Sequence, residues 1–146
     1  TYGAKAFKSK LIIKGLTLLD VCFDQDGEII PGKTTLIVTS PDVQNLKFLL
    51  GILNSKLPLF YMKEKYRCSS YNQVINFNKD MINNLPIPKI NSDVKTKVIK
   101  IVDSILIAKE KNADVDIRII GKRIDEIVYN LYRLTKDEID IVEGKE

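Results

Sequence analysis

The sequence has no histidine and no tryptophan, and its two cysteines, Cys22 and Cys68, are far apart in the chain. The first absence removes every histidine-dependent catalytic triad. Together with the cysteine spacing it also removes the usual zinc-ligand sets, so reduced, packed thiols are the expected state and a metal is not. No run approaches the roughly 20 apolar residues of a membrane helix. The opening TYGAKAFKSK lacks the apolar stretch and cleavage pattern of a signal peptide. These two absences predict a cytoplasmic protein with no membrane partner. The seven glycines are scattered singly, which leaves no phosphate-cradling loop, and no two of the five prolines are adjacent. A chain that opens on Thr1 is expected to be a piece of a longer protein, with some chemistry lying upstream.

What is present is ordinary for a folded domain: 146 residues, 45% hydrophobic and 29% charged, which sets disorder and fibrous scaffolds aside. That length suits one domain, or a small domain with a helical appendage. The net charge of +4 is unevenly spread. Residues 1–90 carry 12 Lys+Arg against 7 Asp+Glu, whereas 91–146 carry 11 against 12. The basic excess therefore belongs to the first part, as in a nucleic-acid-facing module joined to a neutral helical one.

The pattern along the chain predicts an α+β fold. Four β-rich runs, at 11–13, 21–23, 28–30 and 34–39, read as strands of a small antiparallel or mixed sheet, with Asp26-Gly27 as a tight turn between the middle two. Leu46, Leu49, Leu50 and Leu53 have helical spacing after the Ser40-Pro41-Asp42 break. Asn54-Ser55 can cap a second helix, in whose first turn Pro58 is tolerated. Residues 69–84 read as a polar loop with a short strand at 73–77. Leu85 to Lys89, with Pro86 and Pro88, reads as a stiff extended connector. The boundary between a target-facing subdomain, 1–90, and a helical spacer or dimerisation region, 91–146, is placed there. Beyond it, an Asn91-Ser92-Asp93 capping cluster opens an apolar stripe through Val98, Val102 and Ile105. A second stripe runs from Ile117 to Leu134, predicting a helical hairpin joined at 112–116. Thr135 and Glu138 spell a capping box for a short last helix.

Three segments also resemble a known family. IDEIVYNLYRLTKDEIDIVEGK, Ile124 to Lys145, is similar to the C-terminal signature of TaqI-like specificity domains. These domains end fused type II restriction-methylation enzymes and related bacterial defence methyltransferases. FLLGILNSKLPLFYM, Phe48 to Met62, resembles that family's helix junction, and NNLPIPKI, Asn83 to Ile90, its proline-rich hinge. The earlier FDQDGEIIPGKTTLIVTS is similar in shape to the family strands. The resemblance implies that the first part reads a DNA sequence. It implies further that the helices orient that part against methyltransferase and nuclease domains of the same or a partner chain. The parent would be a DNA adenine-N6 methyltransferase, with or without endonuclease activity, and would use S-adenosylmethionine and magnesium.

Within this chain no catalytic set assembles. The resemblance calls for an Asn-Pro-Pro-Tyr-type motif in the methyl-transfer site, and the chain has none. Asp42 and the Asp93-Val94-Lys95 triplet match a metal-dependent nuclease only nominally, on separate predicted helices. Ser69 and Ser70 near Lys65 form an unremarkable polar loop. The fragment is therefore expected to bind and not to catalyse, with no cofactor of its own. Duplex DNA would be held by lysines at phosphates and by planar polar groups at base edges. The candidates are Lys5, Lys8, Lys10 and Lys14 for phosphate, and Lys63, Lys65, Arg67, Tyr71, Asn72 and Gln73 for the region that reads bases. For each of these a solvated surface role is the bland alternative. Asn54, Ser55, Tyr129 and Tyr132 read as structural. A second function class also stays open: a helical module, 93–134, that docks a partner subunit without touching DNA.

Overall fold

The computed structural model describes residues 2–15, 19–67 and 75–145. Seven helices and three strands follow one another in these segments: α1 (Tyr2–Ala6), β1 (Lys10–Lys14), β2 (Val21–Asp24), β3 (Thr35–Thr39), α2 (Val43–Leu53), α3 (Lys56–Lys65), α4 (Lys79–Asn83), α5 (Ser92–Lys111), α6 (Arg118–Leu131) and α7 (Lys136–Val142). The fold is α+β, with the helices dominating its C-terminal part. None of the described helices is long and apolar enough to cross a membrane.

The sheet is wholly antiparallel, ordered β2-β1-β3. Its central strand, KLIIK, has the most buried sequence of the three, because a strand flanked on both sides meets little solvent along its length. The register sets Lys10 opposite Asp24 and Ile13 opposite Val21 on one side, and Lys10 opposite Thr39 on the other. Residues 28–30, expected as a strand, are not one. Their amides are already committed, since Glu28 and Ile29 donate to the Asp24 carboxylate at 3.1 and 3.0 Å. A segment whose donors close a turn around its own upstream aspartate has none left for a ladder. Gly27 makes the tight turn possible. It sits at φ 71°, and a Cβ there would lie 2.7 Å from the Phe7 carbonyl carbon.

Helix α2 is the hub. Asp42 caps it, its carboxylate accepting the Gln44 amide at 2.9 Å. It packs on β1 and β2 on one side and on α3, α5 and α6 on others. Gly51 permits a close approach of α5, because a Cβ would fall 2.8 Å from a Val98 methyl and 2.9 Å from one of Val102. Leu11, Ile13, Leu46, Ile52, Val98, Val102, Ile124 and Val128 consequently form one apolar cluster that runs from the sheet to the C-terminal helices. The proline segment marks a change from mixed to helical architecture, but the core continues across it.

The helical part follows its periodicity. Asn91 caps α5 through the Val94 amide at 2.8 Å, and α5 and α6 pack against each other across a connection at 112–117. Thr135 and Glu138 complete the capping box of α7. In the polar stretch expected as loop, Asn78 caps the short helix α4 by accepting the Met81 amide at 3.0 Å. Phe77 is tied to the sheet end through the Gly15 carbonyl at 2.9 Å.

Candidate nucleic-acid interface

The four opening lysines do not share one environment. Lys5 lies on α1, and Lys5, Lys8 and Lys14 are all exposed; Lys14 stands 3.9 Å from Asp20. Lys10, chosen on sequence as a phosphate contact, is fully buried and bonded to Asp24, itself only 5% exposed. A charge drawn out of water needs a partner of opposite sign and full hydrogen bonding. Burial works to raise the Asp24 carboxyl, but the Lys10 ammonium and the amides of Ile29 and Glu28 outweigh it and hold the group below the usual aspartate range. Lys10 is thus an anchor for the 25–29 turn, and its ammonium faces the interior.

The second candidate group lies at the end of α3. Lys63, Lys65 and Arg67 are exposed, and Lys63 and Lys65 also complement the negative C-terminal end of the helix dipole. Lys65 donates to the Tyr61 hydroxyl at 3.0 Å, and its ammonium lies 5.4 Å from the Tyr61 ring centroid and 5.6 Å from that of Tyr66. The bond to Tyr61, followed by the nearby Tyr61 and Tyr66 hydroxyls, favours the charged lysine and raises its pKa. Arg67 is ion-paired with Glu64 at 2.5 Å, so part of its guanidinium fork is engaged. The two tyrosines are the members of this cluster that a search for charged residues passes over. The i,i+4 spacing of Tyr61 and Lys65 on a predicted helix was the available signal. Tyr71, Asn72, Gln73 and Cys68 lie outside the described residues.

The three segments that carry the family resemblance meet at one joint. Asn54 and Ser55, expected as a cap for α3, do other work. Asn54 accepts the Val21 amide at 3.0 Å and donates to the Val21 carbonyl at 2.8 Å, filling a rung on the outer edge of β2. The Ser55 hydroxyl donates back to Ile52. The cap of α3 comes instead from Asp125, 69 residues on, whose carboxylate accepts the Lys56 amide at 2.8 Å. Burial raises the pKa of that carboxyl despite this bond and the Lys56 charge. Glu143 joins the same corner through Lys145 at 2.5 Å and Lys56 at 3.8 Å, and accepts from the Tyr129 hydroxyl at 3.3 Å. Lys145, ahead of Lys56, holds Glu143 below the usual range. The Tyr132 hydroxyl donates to the Pro86 carbonyl at 2.5 Å, pinning the proline segment to α6. Leu57, Pro58, Tyr61, Leu85 and Tyr132 enclose an apolar recess of about 260 Å³ beside it.

Among the described residues no three cysteine or carboxylate side chains converge so as to hold a metal ion. Cys22, expected to be packed, is exposed at the edge strand; partial burial of the thiol, then Asp20 and Asp24, push its pKa up and weaken it as a nucleophile. No protein-family model matches the sequence, and no curated protein matches it either.

Proposed function

We propose that this chain recognises a duplex DNA sequence, as the specificity part of a restriction-modification protein, without performing the chemistry itself. The observation that carries the reading is the exposed end of α3. There Lys65 stands beside the rings of Tyr61 and Tyr66, and Lys63 and Arg67 are exposed on the same stretch of chain, just ahead of the polar segment 68–74. Cations neutralise phosphate, and an aromatic ring beside a cation offers a stacking or packing face to sugar and base. The resemblance to TaqI-like specificity domains supports the same reading. The segments that carry it supply the joint that holds α3 in place: Asp125 caps its start and Tyr132 fixes the connector beside it. The methyltransferase and nuclease domains, with S-adenosylmethionine and magnesium, belong to the parent assembly in this proposal.

The test is a titration with duplex DNA over a series of salt concentrations. The expected result is a linear fall of log K with log salt, its slope reduced by about one for each of Lys63→Ala and Lys65→Ala and unchanged for a surface lysine of α5 such as Lys100. In the intact enzyme, Arg67→Ala or Asn72→Ala is expected to relax site choice at one base pair, by roughly 1 to 3 kcal/mol. Salt slopes identical to wild type in both lysine variants would remove the end of α3 from the interface.

A further inference from the structure

A larger cleft of about 780 Å³ lies on another side of the molecule, between the outer edge of β2 and the helices α5 and α6. Its size is that of a ligand-binding cleft, which typically spans roughly 300 to 1,000 Å³. The walls are mostly apolar, formed by Leu50, Val102, Ile105, Leu106, Ile117 and Ile124. We propose that this cleft receives an acidic amphipathic helix of a partner protein, laid with its apolar face inward.

Three observations select that occupant. The sheet edge that forms one wall is already closed at Val21 by the Asn54 carboxamide, which holds both the amide and the carbonyl a docking strand would need. A β-strand partner is therefore disfavoured, and a helix, which satisfies its own backbone, is not. Gly121, in the first turn of α6, lines the cleft, and a Cβ there would meet nothing within 4 Å. Glycine is a poor helix former, and here it leaves room for incoming side chains.

Charge gives the partner's sign. Lys109 and Lys122 stand around the cleft and are exposed, and Lys56 lies there too, within 3.8 Å of Glu143. Arg118 is matched by Asp116 through contacts of 2.7 to 3.0 Å. Of the two acids in the lining, Asp125 is buried on the Lys56 amide and Asp20 remains at the surface beside Lys14. The lining is therefore positive around an apolar trough. A nucleic-acid backbone would answer the cations but leave the trough facing phosphate. A helix with apolar residues at i, i+3, i+4 and i+7 and carboxylates along its flanks answers both.

The probe is a display library of helical peptides, panned against the 146-residue chain with Gly121→Leu as the counter-target. Cys22 lines the cleft, so its alkylation rate in a Cys68→Ser background reports occupancy. The expected result is enrichment of peptides combining that apolar spacing with Asp and Glu, slowed Cys22 alkylation, and about tenfold weaker binding to Gly121→Leu and to the Lys109→Glu/Lys122→Glu double variant. Should Gly121→Leu fail to fold by circular dichroism, the charge-reversal variant decides alone. The proposal is overturned by no enrichment, by enriched sequences of extended or basic character, by both variants binding as tightly as the wild type, or by duplex DNA protecting Cys22 where the peptides do not.

Discussion

Lys10 and Asp24 face each other across the β1–β2 pair, both sealed from solvent, and the carboxylate also gathers the two amides that close the next turn. Lys10→Met leaves that carboxylate buried without its counter-charge, and the expected cost at neutral pH is about 3 to 5 kcal/mol in urea unfolding. The sign of the pH dependence follows from Asp24 being held below its unfolded value. Its contribution is complete above the ordinary aspartate pKa and is lost as pH falls through the lowered folded one. The gap between wild type and Lys10→Met should therefore narrow on acidification, and an equal gap at neutral pH and near pH 3 would place the cost elsewhere. Nothing local in KLIIK distinguishes Lys10 from Lys14. Only the register, which sets one lysine opposite Asp24 and carries the other past the end of β2, separates an anchor from a surface cation.

Among elements, those built from short-range rules were legible. α5 and α6 announce themselves through apolar spacing, α5 through the Asn91 cap, and α7 through the Thr135–Glu138 box. Thr135→Ala removes one half of that reciprocal pair and is expected to cost about 1 kcal/mol, measured by denaturant unfolding, with Thr135→Ser retaining most of the stability. Elements whose ends depend on distant residues were not legible. The start of α3 is capped from 69 positions away, and no rule of spacing links Lys56 to Asp125. Residues 28–30 have strand composition, but a turn's hydrogen bonds outbid it. Asn54-Ser55 has cap composition, but one residue is drawn to the sheet edge and the other to the preceding turn. Of the proposed DNA-facing groups, charge and exposure could be guessed from composition. The placement of Lys65 between Tyr61 and Tyr66 required the helix to be built.

For the whole molecule, the continuous core carries a thermodynamic consequence. Val98 belongs to α5, yet it is fully buried against the Gly51 approach of α2, which itself rests on the sheet. Val98→Ala is expected to cost roughly 2 kcal/mol, from lost burial and the cavity left behind. Native-state hydrogen exchange should report the loss equally at the most protected amides of β1 and of α5, as in a single cooperative transition. Protection in β1 left untouched by this change would mean that the sheet and the C-terminal helices unfold as separate units. In a single unit, the parts proposed to contact DNA and a partner helix would be coupled through stability, so tight binding at either would raise the melting temperature of both.

The carboxamide of Asn54 stands where a fourth strand would bind. Sheet edges are the places at which copies of a protein recruit one another into fibres, and natural sequences commonly guard them with charge, proline or a bulge. Here the guard at Val21 is a single neutral side chain that imitates a neighbouring backbone. Asn54→Leu would uncover that rung while adding apolar surface beside it. The expected outcome is thioflavin-positive aggregation at concentrations where the wild type stays clear, so that the colloidal behaviour of the chain rests in good part on one amide group.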